Sequence, residues 1–420
     1  MKQYVRAFTL LFSGLVFLTS CSSNSSLKSE AKSPAINDDY TQPDAKESIP
    51  ITHIAPDDIL GDIAISPEGI YTLQSIYPSS ESILFTDFQT KQQVFMCSAP
   101  NCTHDTEACS SYLQLKDGEY GHTIFFHNGA LYLVQTASET DTPPHITRIK
   151  GDCNEEKSVC ILNSGENFLG SVFGYGEEIL AEIIRVEDSG NQTRQLEKID
   201  CETGKRQTVV VYPNNAYYGA MRAVGNNIAY IKIDGYGCQY FWLNPAQSGT
   251  SLSDCANNHP ISNLYDGENI GYTIQGDYLC GYNYGDGTLS AKNLLTEQSF
   301  TLDIPKDLSM DNSPNLLYLF DDRFALTLDN EDGSITNIIL DKTGHPTNAR
   351  YTKTKMTPGH ILTVSGDTVF LYDRTIKKNL KNQGDYGVAD ESCYIDIYSF
   401  ISKDAYLRGD SSEEISTPIS

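Results

Sequence analysis

A tight turn followed by an alternating apolar strand recurs along the chain, and this repeat constrains the fold more than any other feature. Asn128-Gly129-Ala130-Leu131-Tyr132 is typical of it, because Asn-Gly favours the turn of a hairpin and the residues after it favour a strand. The last turn residues serve as markers and are Gly69, Gly129, Glu178, Asn227, Asp277, Arg323 and Thr368. Successive markers are 60, 49, 49, 50, 46 and 45 residues apart.

Second hairpins lie further on in several repeats, for example around Asp200-Cys201-Glu202-Thr203-Gly204-Lys205. A period of about 48 residues with paired hairpins is typical of a four-stranded propeller blade. The sequence therefore predicts an all-β fold, a β-propeller of seven four-stranded blades over residues 55–410, with 411–420 as a C-terminal tail. Rings of six or eight blades remain alternatives. Helical repeats are disfavoured, because apolar residues at three- and four-residue spacing are absent.

The repeat resembles the propeller domains of bacterial lipoproteins related to the low-density-lipoprotein-receptor propeller and to TolB-like proteins. The resemblance covers nearly all of residues 55–410, without the Tyr-Trp-Thr-Asp signature of the receptor propellers. Trp242 is the single tryptophan, which disfavours a WD-type or quinoprotein propeller, whose blades use repeated tryptophans. The resemblance implies the fold and leaves the ligand open.

The N-terminus has the pattern of a bacterial lipoprotein signal. Lys2 and Arg6 precede an apolar run from Ala7 to Leu18, which is too short to span a bilayer, and Leu18-Thr19-Ser20-Cys21 follows as a lipobox. In the lipoprotein family that this segment resembles, residues 1–20 are removed and Cys21 becomes the lipidated first residue. The resemblance implies a protein anchored by lipid on the extracytoplasmic face of the cell membrane.

Residues 21–54 are rich in Ser, Lys, Asp, Asn and Pro, so they are predicted to form a flexible tether between anchor and propeller. The chain carries 55 acidic and 30 basic residues, a formal net charge of −25. Such a charge repels phosphate backbones and anionic headgroups, which argues against nucleic acid as a partner and against membrane binding by charge.

A cysteine–histidine insert accounts for the long first step of the repeat. Its residues Cys97, Cys102, His104 and Cys109 have the spacing C-x4-C-x-H-x4-C. Three thiols and one imidazole form a permissible tetrahedral zinc set. Because exported cysteines often pair, a disulfide-stapled loop is favoured over the zinc set, and free thiols are the third alternative. The insert is similar to a motif of many propeller lipoproteins from anaerobic bacteria.

Two further pairs are disulfide candidates among the 11 cysteines of the chain. Cys153 and Cys160 flank a predicted hairpin tip, and Cys238 and Cys255 lie on either side of another predicted hairpin. Cys280 follows Tyr278-Leu279 and is predicted to be a small buried apolar residue.

The sequence assigns no catalytic residue. G-x-S-x-G, H-E-x-x-H and G-x-x-x-x-G-K-[ST] motifs are absent. Tyrosines cluster at Tyr217-Tyr218 and Tyr240-Phe241-Trp242, where rings could stack on a sugar or fill strand positions. We therefore expect a non-enzymatic binding module for a protein or glycan partner, with no cofactor except zinc at the insert. The alternatives are an extracytoplasmic carbohydrate-active enzyme and an envelope metal or redox sensor that uses the insert.

Overall fold

A computed structural model gives the fold. It describes residues 51–53, 61–76, 80–104, 106–116, 121–136, 142–150, 153, 155–214, 216–234, 237–246, 270–275, 277–283, 288–303, 316–320, 323–329, 335–341, 345–353, 361–379 and 392–417. The predicted signal peptide, Cys21, residues 21–50 of the predicted tether and Cys255 lie outside the described residues.

Most of the described residues lie in strands. The N-terminal ones are β1 (Ile51–His53), β2 (Ile63–Ile65), β3 (Gly69–Ile76), β4 (Ser80–Asp87), β5 (Gln93–Phe95) and β6 (Tyr112–Gln114). Next come β7 (Thr123–His127), β8 (Ala130–Gln135), β9 (His145–Lys150) and β10 (Glu155–Ile161). Then follow β11 (Glu166–Tyr175), β12 (Glu178–Val186), β13 (Gln192–Asp200) and β14 (Arg206–Tyr212). The middle of the chain forms β15 (Tyr217–Val224), β16 (Asn227–Asp234) and β17 (Gly237–Leu243).

The C-terminal half continues this pattern. Its strands are β18 (Ile270–Gln275), β19 (Tyr278–Asn283), β20 (Thr288–Asn293), β21 (Ser299–Asp303), β22 (Leu316–Phe320), β23 (Arg323–Asp329), β24 (Ile335–Leu340) and β25 (Pro346–Lys353). The last are β26 (Ile361–Ser365), β27 (Thr368–Asn379), β28 (Ser392–Ser402) and β29 (Ile415–Ser416). A single helical turn, α1 (Lys403–Arg408), and a 3-10 turn, Ser411–Glu413, separate β28 from β29. Within the described residues no helix is long and apolar enough to cross a membrane.

The strands form antiparallel sheets that pack face to face. In β8 every residue is buried, since alternate side chains enter two different cores. Tyr132 and Val134 pack with strands of the following sheet, whereas Leu131 and Leu133 pack with strands of the preceding one. A strand that is buried on both faces is what stacked sheets require. The same arrangement continues from sheet to sheet and returns to the sheet that contains the start of the chain, where Ile339 of β24 packs against Val369 and Leu371 of β27 and Ile401 of β28. This circular stacking is a β-propeller.

Each marker of the sequence repeat lies in or directly after the turn between the first two strands of a repeat. At the second marker, Asn128 and Gly129 both have positive φ angles, 47° and 71°, as the tight Asn-Gly hairpin turn requires. The outer hairpins repeat as well. The side chains of Asp87, Asp200 and Asn293 each accept hydrogen bonds from the backbone amides two and three residues later.

The prediction of seven separate blades is corrected to six. Hydrogen bonds connect the strands into the sheets β7–β10, β1 with β11–β14, β15–β17, β18–β21, β22–β25 and one nine-stranded sheet. The nine-stranded sheet combines β2–β6 from the start of the chain with β26–β29 from its end. They meet where Cys393 of β28 pairs with Ile76 of β3. The first and last repeats therefore share one sheet instead of forming two.

Both ends of the described chain take part in the fold. Residues 51–53, which the sequence assigned to the tether, pair as β1 with β11. In the predicted C-terminal tail, β29 pairs with Ser399 and Phe400 of β28. Thr417 is buried, and its amide donates to the Tyr398 carbonyl at 2.8 Å.

Candidate metal centre

The cysteine–histidine insert interrupts one strand at the edge of the first sheet. β5 pairs with β4 at Leu84–Thr86, and β6 pairs with the same edge of β4 at Ser80–Ser82. Ile83 lies between these two stretches. Its carbonyl accepts from the Met96 amide at 3.0 Å, and its amide donates to the Ser111 carbonyl at 2.9 Å. The insert is therefore a loop that leaves and rejoins the sheet at a single residue of β4.

The four predicted ligands meet in this loop. The sulfur atoms of Cys97, Cys102 and Cys109 and a ring nitrogen of His104 all lie within 4.8 Å of one another. Cys109 is buried, and the other three are partly exposed. The Nδ1 atom of His104 lies 3.3 Å from the sulfur of Cys109. Such a group of four donors can hold a tetrahedral metal ion, and its sulfur and nitrogen atoms suit zinc.

The loop backbone is bent to bring the histidine into this group. His104 has a φ of 59°, in the left-handed region that a residue with a β-carbon rarely occupies. Its ring stacks on Phe95, the last residue of β5, with 4.4 Å between ring centroids and an interplanar angle of 10°. On the other side, the hydroxyl of Ser111 lies 3.0 Å from the sulfur of Cys109. Backbone strain held by such contacts is typical of a site that positions a side chain.

The thiols differ in acidity because their surroundings differ. Burial acts to raise the pKa of Cys97, but hydrogen bonds from the Ala99 backbone and the Cys109 thiol outweigh it and lower this pKa to about 7. Burial raises the pKa of Cys109 to about 11, against the opposing hydrogen bonds of Ser111. In the metal-free site the first thiolate therefore forms at Cys97.

The cysteines whose side chains the structure describes are all free thiols, namely Cys97, Cys102, Cys109, Cys153, Cys160, Cys201 and Cys280. The staple predicted between Cys153 and Cys160 is not formed, because residues 155–161 are a strand rather than a hairpin tip. A strand advances about 3.3 Å per residue, which carries Cys160 away from the turn at Cys153. The two thiols lie in separate hydrophobic cores. Cys238 lies in β17, and its pairing with Cys255 stays a prediction, since Cys255 is outside the described residues. Cys280 is buried, as predicted.

The tyrosine clusters mainly build the core. Tyr218 and Tyr240 are buried in the clusters on either side of β15–β17, and Trp242 packs against the second of these. Tyr217 is 39% exposed, and the guanidinium of Arg194 lies 4.7 Å from its ring centroid. The described rings thus favour strand packing over a sugar-binding face.

Sequence reasoning missed a buried carboxyl group between the sheets β11–β14 and β15–β17. Glu182 of β12 is 7% exposed and accepts a hydrogen bond from the Ala220 amide of β15 at 2.9 Å. Burial raises the pKa of Glu182 to about 7, against the Ala220 amide and the Tyr212 hydroxyl. The signal in the sequence was a single acid within the apolar run Ile179–Ile184.

The sequence also provided no indication of an ion-pair network that lies in the same sheet as Glu182. Glu166 accepts hydrogen bonds from Arg185 at 2.5 Å and from Arg206 at 2.7 Å. Arg206 also donates to Glu197 at 2.6 Å. Although burial acts to raise it, the pKa of Glu166 is lowered to about 2 by these two arginines. Each charge has a partner, as a buried structural network requires.

Neither a protein-family model nor any curated protein matches the chain. Among solved structures, it is similar to an oligogalacturonate lyase in complex with manganese, with a TM-score of 0.46 and 10% identity over 82% of this chain and 90% of that one. It is also similar to the β-propeller domain of the trilobed protease from Pyrococcus furiosus, with a TM-score of 0.43 and 10% identity over 77% and 92%. TolB from Acinetobacter baumannii matches with a TM-score of 0.35 and 13% identity over 70% and 67%.

The first of these structures is a lyase and the second is the propeller domain of a protease, and none of the three is more than 13% identical to this chain. The fold assignment rests on the sheets and their circular stacking, and the site rests on the geometry of the insert.

Proposed function

We propose that this chain is a lipid-anchored β-propeller on the extracytoplasmic face of the membrane, that it binds a protein or glycan partner, and that a zinc ion in the insert stabilises its first sheet. The observation that carries the zinc site is the convergence of Cys97, Cys102, His104 and Cys109 within 4.8 Å. Structural zinc sites use four protein ligands, whereas catalytic sites keep one position for water or substrate. Four ligands at the insert favour the structural role.

A binding role for the propeller agrees with the position of this site. The insert projects from an edge strand, so a bound zinc would order a rim loop. Rigid scaffolds that present loops are common binding modules, although propellers also support catalysis.

Native mass spectrometry tests the zinc site on a soluble form that begins at Ser22. One zinc per chain, lost on denaturation, is expected for the unsubstituted protein. His104→Ala is expected to weaken zinc binding by at least about 100-fold, since it removes a ligand of a structural site. The matched control is His345→Ala, which changes an exposed histidine of the β24–β25 hairpin. Retention of zinc by His104→Ala at unchanged affinity would show that the four residues do not form the site.

Thiol alkylation separates zinc from the alternatives. Cys97, Cys102 and Cys109 are expected to be protected in the zinc-loaded protein and to react after chelation and denaturation without any reductant. A requirement for reductant would instead establish a disulfide staple. The second candidate function is a thiol redox sensor, favoured by the low pKa of Cys97 beside two other thiols. It would be supported by reversible disulfide formation at the insert under mild peroxide.

Two further measurements test the anchor and the partner. Cys21→Ser is expected to release the protein from the membrane fraction, whereas Ser22→Ala is expected to leave it anchored.

The zinc-loaded soluble form is expected to bind members of a glycan or envelope-protein panel without chemical change. Release of shortened saccharides from a glycan would contradict the binding role and support the carbohydrate-active alternative.

A further inference from the structure

We propose that zinc binding at the insert stabilises the closure of the propeller ring, at the junction where its first and last strands meet. The inference rests on the zinc site of the proposed function and assigns that site a second effect, at the junction between β3 and β4 on one side and β28 on the other.

The strand pairing at this junction is short in the part of the chain that the structure describes. There the ladder between β28 and β3 consists of the pair Cys393 and Ile76. Asp396 extends it through two side chains, since its amide donates to Gln74 Oε1 at 3.0 Å and its carbonyl accepts from Gln93 Nε2 at 3.1 Å. By contrast, β27 and β28 pair with each other along almost their whole length.

Polar side chains weaken the junction further. Ser82 and Thr86 of β4 lie opposite Gln74 and Ile70 of β3, so they share the face that meets β28. Both side chains are fully buried, and in the described part of the chain their hydroxyls make no hydrogen bond. Burial of a hydroxyl group without a hydrogen-bond partner destabilises the folded state. A further constraint at the ring closure, such as a bound metal ion, should therefore have a large effect on the stability of this junction.

The zinc ligands are connected to this junction through Phe95. The ring of Phe95 stacks on His104 at 4.4 Å. The same residue pairs with Leu84 and packs on the cluster of Ile76, Leu84 and Ile397, which joins β3, β4 and β28. A metal that fixes His104 would thus fix the side chain that covers the apolar part of the junction.

A second connection runs through the backbone of β4. Cys97 follows β5 and Cys109 precedes β6, and both ends of the loop bond to Ile83. A zinc ion shared by Cys97 and Cys109 would hold the two half-strands together on the outer edge of β4. Release of the metal would free both half-strands, and with them the support for β4 at the junction.

Native-state hydrogen exchange on the mature full-length chain tests this inference. With free zinc at about 100 times its dissociation constant, openings that release the metal should be suppressed about 100-fold relative to the metal-free protein. We expect this slowing in β3 (Gly69–Ile76) and β28 (Ser392–Ser402). Strand β16 (Asn227–Asp234), in another sheet, is expected to exchange at an unchanged rate.

A matched pair of variants tests the route. Phe95→Leu keeps all four ligands and an apolar residue, and free zinc is set at about 100 times the dissociation constant measured for this variant, so that any weaker binding is compensated. It is expected to lose most of the slowing at β28. Phe125→Leu changes a buried phenylalanine that stacks on Tyr132 at 4.8 Å in another sheet, and it is expected to keep the full slowing.

The possible negative results lead to different conclusions. If native mass spectrometry finds zinc bound while β3 and β28 exchange equally fast with and without it, the proposal that zinc stabilises the ring closure is wrong. The proposal of a zinc site would remain valid. If no zinc binds, the proposed metal site is itself wrong. Equal loss of slowing in Phe95→Leu and Phe125→Leu would remove the role of the Phe95–His104 contact.

Discussion

Cys97 and Cys109 belong to one group of ligands but differ in pKa by several units, about 7 against about 11. Because the thiolate is the reactive form, metal-free protein should be alkylated first at Cys97, with a rate that rises through a midpoint near pH 7. Cys109 should remain unreactive at that pH. Peptide mass spectrometry after timed iodoacetamide pulses measures both rates. Faster labelling of Cys109 than of Cys97 at pH 7 would contradict this assignment.

Substitution of Ser111 tests whether residues that contact the ligands contribute to metal affinity. Its hydroxyl lies 3.0 Å from the sulfur of Cys109, and the side chain is fully buried. Loss of an outer-shell hydrogen bond typically weakens metal binding about 10- to 100-fold, which is the change we expect for Ser111→Ala. Ser290→Ala is the control, since it removes a buried hydroxyl that bonds Thr301 at 2.8 Å in another sheet. Competition with a zinc chelator measures both affinities, and equal values would exclude a role for Ser111.

At this scale the sequence predicts which side chains can meet and not what surrounds them. The spacing of the four residues and their soft donor atoms permit a zinc set but are equally compatible with a disulfide-stapled loop. The stacking of Phe95, the hydroxyl of Ser111 and the left-handed φ of His104 depend on how the loop leaves and rejoins β4. No local pattern encodes that path, because Ile83, which receives both ends, precedes the insert in a different strand.

At the scale of the strand, β12 carries a carboxyl group into an apolar interface. Glu182 has a folded pKa of about 7 against 4.5 for the ordinary group. Below pH 4.5 it is protonated in both states, and between these values only the folded chain retains the proton. Its contribution therefore makes the free energy of unfolding fall as the pH rises from 4.5 to 7, by up to about 3 kcal/mol.

Glu182→Gln removes this titration and keeps an oxygen that can accept from Ala220. As the pH rises from 4.5 to 8, we expect the free energy of unfolding of the variant to increase relative to that of the unsubstituted protein. Urea unfolding at both pH values measures this difference. Glu187→Gln, an exposed change at the end of the same hairpin, is expected to show no such gain. A parallel pH dependence in Glu182→Gln and the unsubstituted protein would contradict the buried, protonated carboxyl group.

The elements were predictable where turn chemistry is local. Gly, Asn and Asp at the markers correspond to hairpins, because these residues tolerate the backbone angles that tight turns need. The pair Cys153 and Cys160 was misread, since Asn154-Glu155-Glu156-Lys157 looks like a turn by composition. In the structure, Glu155 and Lys157 pair with Lys150 and Arg148 of β9, and cross-strand contacts of this kind override a polar composition.

For the whole molecule, the period of the repeat predicted a ring of stacked sheets but not how the ring closes. Seven markers are present, yet β3 and β28 meet in one sheet, so the described strands form six hydrogen-bonded sheets. Ring closure pairs residues from opposite ends of the chain, such as Ile76 and Cys393. A repeat length contains no information about that pairing, since every repeat would show the same period with either outcome.

The closing strands also make the C-terminus part of the ring. Beyond the β28–β29 pairing, Thr417 bonds Tyr398 through its amide at 2.8 Å, and the Ser416 hydroxyl donates to the buried carboxylate of Asp373 at 2.8 Å. A chain that ends at Glu414 would leave these groups without those partners, at a cost of about 1–3 kcal/mol for each buried group. We expect its thermal unfolding to remain a single transition at a lower temperature, because consecutive sheets share their cores.

A chain that ends at Thr417 is the control for this deletion, since it retains β29 and both side-chain contacts. It is expected to unfold at the same temperature as the full chain. Calorimetry distinguishes the possible outcomes. An unchanged transition in the shorter chain would show that β29 only covers an edge. A new separate transition would show that the closing strands unfold independently of the other sheets, which circular stacking of shared cores does not allow.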